Sequence, residues 1–325
     1  MKAVVLGAGG FIGGHLVNHL VNEGLDVKAI DIKSKENWFQ TNSDATTIQL
    51  FDLRRADTAL GALSFKLNDN DRVYNLAADM GGMGFIENHK ADCMVSVLIN
   101  TNLLRGLKGL SSRPRYFYAS SACVYAADKQ TSADVTALVE SDAYPAMPED
   151  GYGWEKLFSE RMCRHFSEDY GLETRVARFH NVYGPNGSYD GGREKAPAAI
   201  CRKVIEAKLS GNHEIEIWGD GEQSRSFMYV DDCVTGINLI TEGDFSDPIN
   251  LGSSELVTIN QLVSIVEDIA DIKLERHYNL DAPKGVRGRN SDNTLIKSIY
   301  DWEPSISLQA GIEETYRWIY DKMAL

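Results

Sequence analysis

Short apolar runs alternate with helical stretches along the first half of the chain. This pattern predicts five strands and two helices: strands at 2–6, 26–32, 47–51, 72–77 and 115–120, and helices over 13–23 and 93–110. Strands that alternate with helices are typical of a parallel sheet whose two faces are both covered. We therefore expect an α/β fold built on a doubly wound parallel sheet.

The second half of the chain differs, because glycine-rich loops interrupt it. Its pattern predicts helices over 150–170, 197–208, 230–241, 259–270 and 308–323, a strand over 174–179, and loops over 183–193 and 282–293. A chain of 325 residues is long enough for about two domains. We expect a smaller, mixed α/β domain to follow the parallel sheet.

The charge balance narrows the classes of partner. Lys and Arg number 33 against 47 Asp and Glu, which gives a formal net charge of −14. Nucleic-acid binders carry a basic surface, so we expect neither a nucleic acid nor an anionic membrane as the partner. No uncharged apolar run reaches the roughly 18 residues that span a bilayer. The five cysteines are dispersed and form no Cys-x-x-Cys pair, which favours a cytoplasmic protein without a metal site.

A glycine-rich turn follows the first predicted strand and opens the first predicted helix. Gly7 permits the tight turn, Gly10 lets backbone approach a pyrophosphate, and Gly13 lets the helix pack against the strand. The helix N-terminus offers N–H donors to phosphate. Asp31 ends the second strand, where a carboxylate binds both ribose hydroxyls and repels a 2′-phosphate. The context predicts an NAD site.

Other positions near the strand ends extend this site. Lys33 and Lys35 weaken the preference for NAD over NADP, because both are cationic. We expect further cofactor contacts from the glycine turn and from the ends of the third and fourth strands: Phe11, Ile12, Asp52, Leu53, Ala77 and Ala78. A glycine-rich turn without a ligand is the alternative. The Gly-x-x-Gly-x-x-Gly spacing resembles that of the short-chain dehydrogenase/reductase superfamily, which implies a Rossmann-type fold.

A tyrosine and a lysine four residues apart share one face of the helix predicted over 150–170. A phenol titrates near a pKa of about 10, and a neighbouring ammonium or nicotinium charge favours the phenolate. Tyr152 could then take a proton from a sugar hydroxyl while a hydride leaves the same carbon, with Lys156 holding the nicotinamide ribose. Ser121 matches the hydroxyl that assists the tyrosine in the superfamily. A surface pair on a helix is the alternative.

Cys123 and Lys195 are candidates for proton transfer to and from carbon. Members of the superfamily that eliminate water carry Thr-Asp-Glu where this chain has Ser121-Ala122-Cys123, so the acid and base of elimination are missing. A thiolate could still remove a proton next to a ketone, and Lys195, in a glycine loop, could supply one from the opposite face. The alternatives are a small apolar residue at a strand end and an exposed lysine.

Two loops of this acidic chain supply arginines. Arg225 follows a Gly-Asp-Gly-Glu-Gln-Ser segment, and Arg287 and Arg289 lie in a Gly-Val-Arg-Gly-Arg segment. Arginine forks suit a diphosphate, so we expect a nucleotide diphosphate to bind here, with Lys203 nearby. Ordinary salt bridges are the alternative.

Together these motifs resemble the GDP-mannose 3,5-epimerases, a family of extended short-chain dehydrogenase/reductases. The matching stretches lie at 77–85, 118–125, 178–185, 191–197 and 285–293. The resemblance implies an NAD-dependent isomerase in which Tyr152 and Lys156 serve oxidation at C4 of the mannose. Cys123 and Lys195 would be base and acid at C5 and C3, and NAD would be recycled. The implied product is GDP-L-galactose, or GDP-L-gulose where only C5 is inverted.

Substrate contacts, domains and assembly follow from the same resemblance. The expected substrate-binding residues, including those of the basic loops, are Gly81, Gly82, Ser121, Cys123, Asn181, Glu194, Lys195, Lys203, Gln223, Arg225, Arg287 and Arg289. We expect 1–178, with 217–245 returning to it, to bind NAD, and 179–216 with 246–325 to bind the nucleotide sugar. A homodimer is expected through the helices near 93–110 and 152–170.

Two other functions stay open at this stage. One is C4 epimerisation, or related NAD chemistry, on another nucleotide sugar such as a uridine derivative, because the sequence does not display the base-recognition pocket. The other is a non-catalytic nucleotide-binding regulator. The presence of Tyr152, Lys156, Ser121, Cys123 and Lys195 argues against it.

Overall fold

The computed structural model describes residues 1–48, 51–283 and 285–324. The first half contains, in chain order, β1 (Lys2–Leu6), α1 (Phe11–Asn22), β2 (Asp26–Ile30), β3 (Thr46–Ile48), α2 (Ala56–Ala62), β4 (Arg72–Asn75), α3 (Met83–Asn88), α4 (Lys90–Val95), α5 (Val97–Lys108), β5 (Arg115–Ser121), α6 (Asp150–Tyr170) and β6 (Thr174–Phe179). The second half contains β7 (Asn181–Tyr183), α7 (Ala196–Ser210), β8 (Glu214–Trp218), β9 (Ser224–Tyr229), α8 (Val230–Glu242), β10 (Ile249–Leu251), β11 (Leu256–Thr258), α9 (Ile259–Ala270), β12 (Glu275–Asn279), β13 (Gly288–Arg289), α10 (Thr294–Tyr300) and α11 (Leu308–Met323).

Seven parallel strands form the main sheet, in the order β10-β6-β5-β4-β1-β2-β3. Helices cover both faces, which is why β1 is apolar and fully buried from Ala3 to Leu6. The strand order reverses between β1 and β4. At such a point the carboxyl ends of the strands leave a crevice in which doubly wound sheets bind their ligands. The predicted fold class is confirmed.

Smaller sheets complete the second half of the chain. Strands β7, β9, β11 and β13 form one sheet, and β8 pairs with β12 in another. Strand β10 lies at the edge of the main sheet, and one buried apolar cluster contains side chains from β1 and α1 together with α7, α9 and α11. The division into 1–178 with 217–245 and 179–216 with 246–325 stays a prediction. In the described residues no helix is long and apolar enough to cross a membrane.

Several predicted boundaries are wrong. The helix predicted over 93–110 is divided at Ser96. The N–H of Ser96 donates to the carbonyl oxygen of Cys93, and the carbonyl oxygen of Ser96 accepts from the N–H of Ile99. Two tight turns therefore separate α4 from α5. Strand β2 ends at Ile30 because the carboxylate of Asp31 accepts backbone N–H groups and turns the chain. Of the strand predicted at 47–51, the structure has Thr46–Ile48, and residues 49 and 50 lie outside the described part.

Candidate functional site

The glycine turn after β1 is shaped by close backbone approaches. Gly7 has φ +85°, and a Cβ there would lie 2.9 Å from the nitrogen of Ala77. A Cβ at Gly13 would lie 2.1 Å from the carbonyl oxygen of Gly7, so only glycine lets α1 start this close to the strand. Within the described residues, no side chain caps the N-terminus of α1 at Gly10. Uncapped N–H groups beside a turn of glycines are features that a dinucleotide pyrophosphate requires.

Asp31 is buried beside this turn. Its Oδ2 accepts the N–H of Gly9 at 2.9 Å, and its Oδ1 accepts the N–H of Lys33 at 2.9 Å. The ammonium of Lys33 in turn donates to the carbonyl oxygen of Gly9 at 2.7 Å. The carboxylate therefore holds the turn in place, and its predicted contact with ribose hydroxyls stays a prediction.

The remaining predicted cofactor residues lie in different surroundings. Leu53 is buried, whereas the half-exposed carboxylate of Asp52 accepts from Arg54 Nε at 2.8 Å and Nη2 at 2.9 Å. Phe11 packs edge-on against His15 and lies against the loop after β7, where a Cβ at Gly187 would be 3.1 Å from its ring. Ile12, Ala77 and Ala78 stay predicted contacts.

The predicted Tyr152–Lys156 pair lies in the first two turns of α6, with both side chains buried. Lys156 Nζ lies 5.6 Å from the centre of the Tyr152 ring and 3.5 Å from Glu155 Oε2. The hydroxyl of Ser121, at the end of β5, partly lowers the pKa of the Tyr152 phenol. Burial, followed by the charges of Cys123 and Glu155, raises the pKa of Tyr152 well above its usual value. The lowering of this pKa by Lys156 together with the nicotinium charge stays a prediction.

Cys123 lies in a single turn of 3-10 helix directly after β5, where its N–H donates to Ser121 Oγ at 3.2 Å. Its sulfur accepts a hydrogen bond from Arg289 Nη1 at 3.5 Å. Arg289 also donates through Nη2 to Glu149 Oε2 at 2.6 Å and through Nε to Gln130 Oε1 at 2.6 Å. We call Cys123, Glu149 and Arg289 the thiol cluster. Its members are joined by one buried guanidinium.

The charges of the thiol cluster influence one another. Burial raises the pKa of Cys123, Glu149 raises it further, and Arg289 partly offsets both. Burial pushes the pKa of Glu149 upward, but the charge and hydrogen bond of Arg289 more than offset this, so it lies below the usual value. Burial and the nearby Arg289 lower the pKa of Arg225 to about 10. The resting cluster thus combines a neutral thiol with an ionised carboxylate.

Lys195 immediately precedes α7 and interacts electrostatically with the thiol cluster. Burial lowers the pKa of its ammonium, and the interaction with Cys123 raises it in part. The loop before it is pressed against another turn: Gly82 N–H donates to the carbonyl of Arg193 at 3.0 Å, and a Cβ at Gly82 would lie 2.3 Å from the carbonyl oxygen of Glu194. Lys195 is thus near enough to Cys123 for their charges to interact, and their roles as acid and base stay predictions.

The predicted substrate residues divide between this buried end and a more exposed end. At the exposed end, Lys203 Nζ donates to the carbonyl of Glu216 at 2.8 Å and lies 5.7 Å from the centre of the half-exposed Trp218 ring. Gln223 Nε2 donates to the carbonyl of Trp218 at 2.7 Å, while its Oε1 is buried without a partner. A buried acceptor of this kind is suited to a ligand donor.

Two further predicted residues have protein partners of their own. Arg287 is held by both carboxylate oxygens of Asp220, at 2.7 and 2.8 Å, on the exposed side. Asn181 Nδ2 donates to the carbonyl of Ser226 at 3.1 Å. Gly81 lies against Phe85 and Arg193, with which a Cβ would collide.

Sequence reasoning missed Glu149, Gln130, Trp218 and Asp220. Glu149 and Gln130 are 140 and 159 residues from Arg289 along the chain, so no local spacing connects them to it. Trp218 and Asp220 flank a glycine next to the predicted Gln223 and Arg225, and this neighbourhood was a usable signal.

Three comparisons with known proteins all find epimerases. The NAD dependent epimerase/dehydratase family matches residues 3–252. The chain is 44% identical over 324 residues to GDP-mannose 3,5-epimerase 1 of Oryza sativa subsp. indica, which covers 99% of this chain and 82% of the rice protein. It is 43% identical over 325 residues to GDP-mannose 3,5-epimerase of Arabidopsis thaliana, covering 99% and 83%. The crystal structure of Thermotoga maritima UDP-glucose 4-epimerase with UDP-glucose is similar, with a TM-score of 0.85, 25% identity and coverage of 99% and 100%.

Proposed function

The chain belongs to the NAD dependent epimerase/dehydratase family, and we propose that within it the protein acts as a GDP-mannose 3,5-epimerase. It would convert GDP-α-D-mannose to GDP-L-galactose, and to GDP-L-gulose where only C5 is inverted. The observation that carries this proposal is the convergence of Cys123 and Lys195 beside Tyr152. The 43–44% identity to rice and Arabidopsis GDP-mannose 3,5-epimerases supports the choice of substrate.

The residues around the glycine turn fit NAD. Gly7 and Gly13 let strand, turn and helix pack too closely for any Cβ, no described side chain caps the N-terminus of α1, and Asp31 is placed beside the turn. When bound, NAD supplies a hydride acceptor for C4 of the sugar and a positive nicotinium charge. Lys156 would hold its nicotinamide ribose.

The side chains of the chain itself handle protons. Tyr152 would hold a proton at the C4 oxygen, and Ser121, which partly lowers the pKa of the phenol, would assist it. A ketone at C4 acidifies the hydrogens on both adjacent carbons, C3 and C5. Cys123 and Lys195 then remove a proton from one face and return one to the other, which inverts the carbon. Two inversions give the 3,5-product, and one gives the 5-product.

The nucleotide would extend from this buried end to the exposed end. Arg225, Arg287 and Lys203 supply positive charge for the diphosphate, and Trp218 offers a half-exposed aromatic face for a base. Arg289 would face the sugar, since its guanidinium already contacts Cys123.

We also propose that the protein forms a cytoplasmic homodimer. Five large apolar side chains on α4, α5 and α6 are between 41% and 54% exposed: Met94, Val95, Leu98, Trp154 and Phe158. A patch of this kind on adjacent helices suits association with a second copy. All five cysteines are free and buried, which agrees with a reducing compartment. Light scattering would show a dimer for the wild type and a smaller mass for the Trp154→Glu, Phe158→Glu double variant. A monomeric wild type would contradict the assembly.

The activity is tested with purified protein and GDP-mannose in heavy water. We expect deuterium at both C3 and C5 by mass spectrometry and proton NMR, GDP-L-galactose as a product, and no net consumption of NAD. Label at C5 alone would make the protein a 5-epimerase. Turnover of a UDP-sugar without turnover of GDP-mannose would favour the alternative, another nucleotide-sugar epimerase. NAD binding without label on any nucleotide sugar would favour a non-catalytic regulator.

A further inference from the structure

Glu149 is a largely buried carboxylate that belongs to none of the sequence motifs. Its side chain is 13% exposed, and it immediately precedes α6, the helix that carries Tyr152. Its N–H donates to the carbonyl oxygen of Cys123 at 2.9 Å, and a Cβ at Gly153 would lie only 2.3 Å from that same oxygen. The start of α6 is therefore pressed against Cys123, and Glu149 cannot move away from the thiol independently.

Arg289 fixes the side chain of Glu149 beside the sulfur. Its guanidinium donates to Glu149 Oε2 at 2.6 Å and to Cys123 Sγ at 3.5 Å. A third donation, to Gln130 at 2.6 Å, keeps the guanidinium from rotating. The carboxylate of Glu149 raises the pKa of the Cys123 thiol. One guanidinium therefore joins the sulfur to the carboxylate, and the sulfur has one cationic and one anionic neighbour.

We propose that Glu149 is a positioning residue that holds Cys123 as a thiol and sets the pH at which the thiolate forms. A neutral thiol tolerates the carboxylate held next to it by Arg289, whereas a thiolate in its place meets a like charge. When Cys123 ionises, its S–H bond breaks and the proton leaves the cluster for solvent or substrate. Glu149 remains a carboxylate throughout. The catalytic importance of this effect rests on the proposed function.

Other titratable groups face Cys123 from the surrounding elements. Arg289 on β13, Arg225 on β9 and Lys195 at the start of α7 carry positive charge and favour the thiolate. Tyr152 on α6 and Cys93 on α4 are buried neighbours of the thiol and are neutral at pH 7. Glu149 is thus the anionic group among them. Without it, the charged neighbours named here would all be cations, which would oppose the effect of burial and favour the thiolate.

The test measures the reactivity of Cys123 against pH with no substrate present. Iodoacetamide alkylation is followed on the Cys123 peptide by mass spectrometry, in wild type and in Glu149→Gln, which keeps the size of the side chain and removes its charge. We expect a wild-type midpoint well above the ordinary thiol pKa of about 8.5. In Glu149→Gln it falls by at least about one unit, which means about tenfold more thiolate at a given pH below both midpoints.

Asp150→Asn is the matched control. It removes the same charge one residue along the chain, but the carboxylate of Asp150 faces Lys90 at 2.7 Å on the exposed side. We expect its midpoint to equal that of the wild type. An unchanged midpoint in Glu149→Gln, or an equal fall in Asp150→Asn, would overturn the proposal. If Glu149→Gln does not fold, a wild-type midpoint at or below about 8.5 overturns it by itself.

Glu149→Asp and the deuterium-exchange assay separate this proposal from the proposed function. Glu149→Asp retains the charge, and we expect it to restore a midpoint near that of the wild type. In Glu149→Gln, the rate of exchange at C5 should begin to rise at a lower pH than in the wild type. This shift should equal the shift of the alkylation midpoint. If wild type exchanges nothing on GDP-mannose, the proposed function fails, while the alkylation midpoints still decide whether Glu149 controls the thiol.

Discussion

Two arginines of one short segment have opposite surroundings. Arg289 has a side chain that is 7% exposed, and it binds a sulfur, a carboxylate and an amide oxygen. Arg287, two residues earlier, is 37% exposed and is held by the carboxylate of Asp220. The sequence presents the two as equivalent candidates for a diphosphate. The structure instead makes Arg289 part of the thiol cluster at the buried end of the site, whereas Arg287 lies at the exposed end.

The difference has an energetic consequence. An exposed ion pair contributes about 0–1 kcal/mol, so a phosphate can replace Asp220 as the partner of Arg287 at little cost. Removing one partner of a buried pair costs about 3–5 kcal/mol, because it leaves the other charge buried and unpaired. Arg289 therefore cannot leave Glu149 to follow a ligand. We expect substitutions at the buried end to reduce kcat and substitutions at the exposed end to raise KM.

The largest effect is expected for Cys123→Ser. A serine hydroxyl keeps the shape of the site but is far less acidic than a thiol, so proton transfer at carbon should fall about 10²- to 10⁴-fold. Deuterium incorporation at C3 and C5 measures this loss, while the oxidation at C4 should be retained. Cys163→Ser, at a buried thiol that pairs with Asn100, is the control. Unchanged exchange in Cys123→Ser would remove Cys123 from the chemistry.

A similar but smaller loss is expected for Lys195→Ala, about 10²- to 10³-fold in kcat, because water can in part replace a proton donor. Lys203→Ala is the comparison from the exposed end. Lys203 has a carbonyl partner, Glu216, and should affect KM with little change in kcat. Full steady-state curves for both variants separate the two parameters. If the two variants reduced kcat equally, the buried and exposed ends of the site would not have the separate roles that we expect.

The alternation of apolar runs predicted the strands of the main sheet except β10. Strand β10 has three residues, and β7 and β11 are equally short, so none of them displays a period that sequence can reveal. The strands of the smaller sheets are held by pairing with distant partners, as in β13 beside β9. Alternation with helices revealed the main sheet, whereas strands that depend on pairing with distant partners were missed whatever their length. The three-residue β3 was predicted, but the five-residue β8 and the six-residue β9 were not.

The same distinction applies to the site. Fixed spacings predicted Tyr152 and Lys156, and a strand end predicted Ser121 and Cys123. What could not be predicted is how the groups are paired. The partners of Arg289 come from segments 140 to 166 residues away, and the charge state of Cys123 depends on them. Sequence therefore identified the candidate reacting groups but not the contacts that control their electrostatics.

The two ends of the site also differ in how closely the backbone is packed, and Gly153→Ala tests this difference. The added Cβ would lie 2.3 Å from the backbone oxygen of Cys123, so α6 must shift and the free energy of unfolding should fall by about 1–3 kcal/mol. Gly84→Ala, near the exposed end, meets the Trp218 ring at 3.8 Å. It should be neutral or stabilising by about 0.5–1 kcal/mol, because alanine favours a helix. Urea titrations measure both, and equal stabilities would contradict the tight contact at Cys123.

The smallest effect is expected for Arg287→Gln. Its ion pair with Asp220 is exposed, so loss of the cation should cost less than a tenfold change in substrate binding, about 1.4 kcal/mol at most. KM for GDP-mannose should rise about two- to tenfold, more at low salt than at high salt, and kcat should stay constant. Arg317→Gln removes a comparably exposed arginine, paired with Glu313 and Glu314 on α11, and should leave KM unchanged. A large fall in kcat for Arg287→Gln, with KM unchanged, would mean that this arginine acts on the reacting sugar, and the two ends of the site would then not be separable.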